Sequence, residues 1–265
     1  MLNIIVCVKQ VPDPEAPPSV YRVDPDNKHI YPRGAPPVIS TYDENALEAA
    51  LRLKEIHGSH ITALSLGKGL SKALLRKALA AGADDLVLLD DPAFADLDGY
   101  AIATSLTGAV RKLGHFDLVL AGIQAADTNA GLVGIGIAEL LGIPCITNAR
   151  VISYNTGVLT VEQTLPDGWR TWELPLPAMV TVNKSLGDLR YIPAADLMAA
   201  QKRPLTVLTA VDIGVNPAEH IKTRLLGIYI PHREPFVEMV GGADDTARGN
   251  NLAEKLFNTG ILKKS

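Results

Sequence analysis

Residues 60–122 read "HITALSLGKGLSKALLRKALAAGADDLVLLDDPAFADLDGYAIATSLTGAVRKLGHFDLVLAG". Three apolar runs stand out in it: "HITALSLG", "DDLVLLD" and "FDLVLAG". Between them lie "KGLSKALLRKALAAGA" and "DLDGYAIATSLTGAVRKLG", which read as helices. Ser71 stands where the first of these would be capped, and Gly82 where it would end. Strand and helix alternate with short turns, which predicts a parallel, doubly wound α/β sheet of the Rossmann-like kind. Ligands of such sheets bind beyond the carboxyl ends of the strands, where the βα loops gather.

Working towards the N-terminus, "STYDENALEAALRLKEIHG" predicts a helix. Thr41 with Glu44 matches a capping box, an apolar stripe runs through Ala46, Leu47, Ala50, Leu51 and Leu53, and Gly58 closes it. Gln10–Ser40 is rich in proline, with a short hairpin expected around "YRVDPDNKHIY". Asn3–Lys9 is β-branched and continuous, as a strand buried on both faces would be.

Towards the C-terminus, "LAGIQAADTNAGLVGIGIAELLGIP" (Leu120–Pro144) is a strand end, a polar loop and a helix. Hairpin signals follow at Asn155–Gly157 and Pro166–Gly168, flanked by alternating residues, so antiparallel structure is expected on the parallel sheet. From Leu186 the chain is punctuated by proline and reads as irregular. Short strands are then expected in "LTVLTAVDIGV" and "LLGIYIP". The stretch "DDTARGNNLAEKLFNTGILKK" reads as an amphipathic helix carrying Leu252, Leu256, Phe257 and Ile261.

The 265 residues allow one large α/β domain, or one domain with an appendage. Lys+Arg 25 against Asp+Glu 29 gives a net charge of -4, which speaks against nucleic acid or an anionic membrane as partner. Cys7 and Cys145 form no CxxC, and Cys7 reads as a buried, reduced thiol. The opening "MLNIIVCVKQVPD" lacks the basic region of a signal peptide, and Glu139 interrupts the best apolar stretch. A soluble, cytoplasmic protein is expected.

The sequence shows no GxSxG, HExxH, P-loop Gly-Lys-Ser/Thr or clustered Cys/His set, so no catalytic residue and no metal ligand is assigned. Anion binding has better support. A helix beginning just after Asn129 would free the backbone N–H groups of Ala130, Gly131, Leu132 and Val133, where the helix dipole adds positive charge. Gly131 would admit a phosphate closely, and Thr128 and Asn129 could donate from their side chains. The blander reading is that Asp127, Thr128 or Asn129 merely caps that helix, and from this loop alone it weighs more. "SLGKGLS" offers a second cluster of amides at a helix start. Gly131, Gly134 and Gly136 make no dinucleotide fingerprint, because they lie within the expected helix rather than in the turn before it.

Seven stretches together resemble the beta (small) subunits of electron transfer flavoproteins. They are "VCVKQVPD" (Val6–Asp13), "YDENALEAALRLKE" (Tyr42–Glu55), "ALAAGADDLVLLDD" (Ala78–Asp91), "DLVLAGIQAAD" (Asp117–Asp127), "GIAELLGIP" (Gly136–Pro144), "LPLPAMVTV" (Leu174–Val182) and "RYIPAADLMAAQKRP" (Arg190–Pro204). The resemblance implies an adenine-nucleotide-binding α/β domain over 1–204 and a C-terminal arm over 205–265 that embraces an alpha subunit. The alpha subunit would carry most contacts to FAD, and this chain would bind AMP or a second FAD. Carried over, the nucleotide contacts are Val8, Lys9, Asp13, Tyr42, Asp43, Leu66, Gly67, Gly122, Asp127, Thr128, Asn129, Ala130, Gly131, Leu132 and Val133.

The implied function is electron transport between a flavin dehydrogenase of the acyl-CoA dehydrogenase type, as in fatty acid oxidation, and a quinone reductase or other acceptor. Any membrane contact would be peripheral, through that acceptor. Thr128 and Asn129 replace the acidic or Gly/Asp pair common in the family's loop, and Leu132 replaces a glutamine. After Arg190 and Tyr191, Ala194 and Ala195 stand in place of a Leu-Pro. The rival reading is a stand-alone adenine-nucleotide-binding or ATP-hydrolysing protein on the same type of sheet.

Overall fold

Alternate residues of the first strand enter two different cores: Ile4 and Val6 one, Ile5 and Cys7 the other. That is the arrangement of a strand covered on both faces, and the whole sheet is built on it. The computed structural model describes residues 1–24, 26, 28–231 and 237–262.

In chain order, β1 (Asn3–Cys7), β2 (Gln10–Val11), β3 (Tyr21–Asp24), β4 (His29–Pro32) and β5 (Val38–Ile39) precede α1 (Thr41–His57). Next come β6 (His60–Gly67), α2 (Lys72–Leu75), α3 (Lys77–Ala81), β7 (Asp85–Asp90), α4 (Gly99–Leu113), β8 (Leu118–Gly122) and α5 (Val133–Leu141). They are followed by β9 (Cys145–Asn155), β10 (Val158–Leu165), β11 (Gly168–Leu174), β12 (Ala178–Val182), α6 (Ala194–Ala200), β13 (Thr206–Leu208) and α7 (Asp245–Asn258).

The main sheet has nine strands in the order β11-β10-β9-β12-β8-β1-β6-β7-β13. From β9 to β13 every pairing is parallel, and β10 and β11 add the antiparallel extension. The chain runs β1, β6, β7 in one direction, then crosses back to place β8 on the other side of β1. The strand order therefore reverses between β1 and β8. The core shared by α1 and α3 holds Leu47, Leu51 and Leu79, and that of α4 and α5 holds Leu106, Val110 and Ile137.

Both expected turns of the antiparallel extension form. Asn155 pairs with Val158 across Thr156 and Gly157, both at positive φ (46° and 91°), which suits a tight hairpin. Leu165 pairs with Gly168. The proline-rich segment holds the β3–β4 hairpin, whose turn residues Pro25 and Asn27 lie outside the described residues.

Several local expectations give way. The Thr41/Glu44 capping box does not form. Ser40 is the cap residue, its hydroxyl accepts from the Ala126 N–H, and Glu44 pairs instead with Lys77 at 2.6 Å. The single helix expected after Ser71 is two, broken at Arg76, although Ser71 Oγ does accept from the Leu74 N–H. The stretch read as irregular contains α6. Only Thr206–Leu208 of "LTVLTAVDIGV" pairs, with β7, and "LLGIYIP" forms no strand.

The chain divides into two units, Met1–Ile228 and Tyr229–Ser265. The segment from 205 to 228 thus belongs to the first, because β13 closes the edge of the main sheet. In the second unit, Asp244 caps α7 through the Ala247 N–H, and Lys255 pairs with Glu238. No residue of α7 is buried; Leu252 and Phe257 are exposed, and Lys263 and Lys264 lie outside the described residues. Among the described residues no helix is long and apolar enough to cross a membrane.

Candidate functional site

The ladder between β1 and β8 ends at Val6 and Leu120. Beyond it the strand ends part, and a side chain takes over the pairing. Asp43, on the first turn of α1, accepts the Lys9 N–H at 2.9 Å with one carboxylate oxygen and the Gly122 N–H at 3.0 Å with the other. It thereby pegs both strands at the point where the sheet order reverses, which is where doubly wound folds take their ligands. Burial pushes the Asp43 carboxyl up to about 7, against the downward pull of the two N–H donors and the Lys9 charge; Asp127 adds to the rise.

Gly122 makes the approach of α1 possible. A Cβ there would lie 2.5 Å from Tyr42 Cβ and 2.7 Å from Asp43 Oδ1. Above the peg, the Lys9 ammonium pairs with Asp127 at 2.7 Å and joins the loops after β1 and β8.

The loop after β8 differs from the expectation in one telling respect. α5 begins at Val133, not just after Asn129, and its cap residue Leu132 offers no side-chain acceptor. Asn129 sits at φ 51°, outside the extended region that a capping residue needs, and its Oδ1 accepts from Gln124 Nε2 at 3.0 Å. Neither Asp127 nor Thr128 caps the helix either. The N–H groups of Ala130, Gly131 and Leu132, and of the first turn Val133–Ile135, meet no acceptor among the described residues.

Gly131, at φ 65°, turns the chain here, and a Cβ on it would come within 3.3 Å of the Ile123 carbonyl oxygen. Gly134 lets the helix start press onto β12: a Cβ there would lie 2.6 Å from Thr181 Cγ2. α4 also starts at this site, but Asp98 caps it through the Ala101 N–H at 2.9 Å. Of these two helix starts, only the one at α5 lacks a side-chain cap.

These elements surround a cleft of about 1110 Å³. Of the residues singled out from sequence, Val8, Lys9, Asp43, Leu66, Gly122, Thr128, Ala130, Gly131, Leu132 and Val133 line it. Five do not. Asp127 holds Lys9, Asn129 braces the loop through Gln124, and Tyr42 packs against Gly122. Gly67 makes room for Leu70 at the end of β6, and Asp13 accepts the Glu15 N–H within its own turn.

Sequence reasoning missed two walls. One is the start of α4, with Leu97, Asp98, Gly99 and Ile102; its sequence was read only as the beginning of a helix, not as a lining. The other is a segment far along the chain, with Ile221, Thr223, Arg224 and Leu225, which carries no local signal. Cys7 lies on the floor, and burial followed by the nearby Asp43 charge pushes its thiol up to about 12, so it stays protonated at neutral pH. Among the described residues no cluster of His, Cys, Asp or Glu is placed to hold a metal. Chemically, the arrangement offers free backbone amides that can accept an anionic ligand.

The family model described as "Electron transfer flavoprotein domain" matches residues 30–213. A protein of Thermoanaerobacterium thermosaccharolyticum, "Electron transfer flavoprotein subunit beta", is 36% identical over 98% of this chain and 100% of its own length. "Caffeyl-CoA reductase-Etf complex subunit CarD" of Acetobacterium woodii is 32% identical over 98% of this chain and 100% of its own. "Protein FixA" of Azotobacter vinelandii is 34% identical, covering 97% and 95%.

Proposed function

The chain belongs to the electron transfer flavoprotein family, in its beta-subunit branch, and from that premise we propose that it binds AMP or a second FAD in the cleft between β1 and β8. The observation that carries this reading is the uncapped start of α5. Free amides, a left-handed glycine and the helix dipole converge there on one wall of a cleft at the sheet's switch point. A phosphate supplies the acceptors that these amides lack.

In this role the chain is an electron-carrier subunit of a heterodimer with an alpha subunit that holds most of the FAD. The flavin supplies the redox chemistry, and the protein supplies binding, orientation and tuning. Electrons would pass from a flavin dehydrogenase of the acyl-CoA dehydrogenase type to a quinone reductase or other acceptor in the cytoplasm. The name of the Acetobacterium relative, a subunit of a caffeyl-CoA reductase complex, supports a CoA-ester enzyme as redox partner. The exposed Leu252 and Phe257 of α7 support a C-terminal arm that packs on the alpha subunit.

Co-expression with the alpha-type subunit, purification and identification of the released nucleotides test the reading. FAD with AMP marks a simple carrier, and two FAD per heterodimer mark an electron-bifurcating one. A monomer that hydrolyses ATP and holds no flavin overturns the proposal.

A further inference from the structure

The backbone of the wall formed by Ile221–Leu225 is anchored by Asp98. Asp98 uses one carboxylate oxygen to cap α4, and the other accepts from the Lys222 N–H and Thr223 N–H at 2.7 Å each and from Thr223 Oγ1 at 3.1 Å. Two successive backbone amides are thereby fixed immediately before Arg224. Lys222 is drawn aside, its ammonium 5.4 Å from the centre of the Tyr100 ring.

Arg224 itself lines the cleft and has no ion pair or hydrogen bond among the described residues. Of the other cations there, Lys9 is engaged by Asp127, and Lys28 stands on the β3–β4 hairpin without such an anchor among the described residues. The anchor also lies beside the free amides. A Cβ on Gly99, next to Asp98, would be 3.4 Å from Leu132 Cβ, and Leu132 is the cap residue of α5.

A guanidinium on an anchored backbone and a row of unsatisfied amides line the same cleft, an arrangement that suits a phosphate held from two sides. Asp98 does not compete with that phosphate for the amides of α5, because its own oxygens are taken by four donors. We propose that Arg224 is the residue by which the cleft selects phosphorylated adenosine ligands over unphosphorylated ones, and that Asp98 is a positioning residue that sets it there. The inference rests on the reading of the cleft as an adenine-nucleotide site.

Calorimetric titration of the full-length chain, freed of bound nucleotide, with AMP and with adenosine tests it. In Arg224→Ala the preference for AMP over adenosine should fall about tenfold while adenosine affinity holds, as for loss of one charged phosphate contact. Arg224→Lys should keep part of the preference, since it retains the charge without the planar fork. Asp98→Asn should lower the preference in the wild-type background and add nothing in the Arg224→Ala background, as for two residues acting as one unit. An unchanged AMP preference in Arg224→Ala overturns the assignment and leaves the nucleotide site standing. Additive effects of the two substitutions overturn the role of Asp98. A wild-type chain that binds neither ligand overturns the nucleotide site and this inference with it.

Discussion

Gly131 separates two effects that a single substitution would confound. At φ 65°, any L-residue pays about 1 kcal/mol for the left-handed conformation, and its Cβ must also ease away from the Ile123 oxygen. Gly131→Ala is therefore expected to lower stability modestly and to weaken nucleotide retention by severalfold. Gly131→Glu adds bulk and negative charge at the proposed phosphate position, and is expected to abolish retention. Absorbance of nucleotide released from the two purified variants checks this; equal retention in both would make the loop a turn and nothing more.

Asp43 gives a second test at this scale. Its carboxyl is raised to about 7 in the folded chain from an ordinary value of 3.8, so the folded state holds the proton more tightly than the unfolded state. The stabilisation linked to that proton is full below the ordinary carboxylate range and is lost as pH rises to about 7. Urea unfolding of wild type and Asp43→Asn from pH 4.5 to 8.5 is expected to show wild type losing stability relative to the variant as pH rises, then levelling off. Parallel profiles would remove Asp43 from that titration.

At the scale of elements, the carbonyls at the end of α3 and just beyond it are gathered by one residue from a distant segment. Arg203 donates to the Leu79 oxygen at 3.2 Å, to the Ala83 oxygen at 3.0 Å and to the Asp84 oxygen. A cation at a helix C-terminus is favourable, and here it also ties the chain leading to β13 onto the sheet. Arg203→Ala is expected to cost about 1–3 kcal/mol, read as a lower denaturant midpoint at unchanged slope.

The helices and strands around this contact also show what local sequence carries. β6, β7 and β8 each announce themselves by an apolar run between a helix end and a turn, and both hairpin turns are written in Thr156-Gly157 and Pro166-Asp167. The start of α5 is not legible in this way. Asp127, Thr128 and Asn129 are all good capping residues, but other contacts engage two of them: Asp127 with Lys9 across the fold, and Asn129 with Gln124 within the loop. The helix then begins three residues later than its sequence suggests. The capping box of α1 fails for the same reason, since Ser40 spends its hydroxyl on Ala126 and Glu44 its charge on Lys77. The site was readable where a loop directly follows a strand. It was hidden where Asp98 and Arg224, 126 positions apart, are brought to one cleft only by the fold.

For the whole molecule, the division at Ile228 separates the two proposed roles of the chain. Every residue that lines the cleft, Arg224 and Leu225 included, belongs to Met1–Ile228. The exposed apolar residues of α7 belong to Tyr229–Ser265. Ending the chain after Ile228 removes no strand of the main sheet and no hydrogen bond of the Asp43 peg or the Asp98 anchor. The shortened chain is therefore expected to fold and to bind AMP within about twofold of the full chain. By linkage, AMP at a hundred times its dissociation constant should stabilise both chains by about 2.7 kcal/mol, read as equal rises in melting temperature. Association with the alpha subunit should fall by about a hundredfold or more in the shortened chain, since the arm's apolar contacts would be lost. Analytical ultracentrifugation of each chain with the alpha subunit reads that directly. Full-strength association without 229–265 would place the alpha-binding surface on the α/β unit, and loss of AMP binding would show that the cleft depends on the arm.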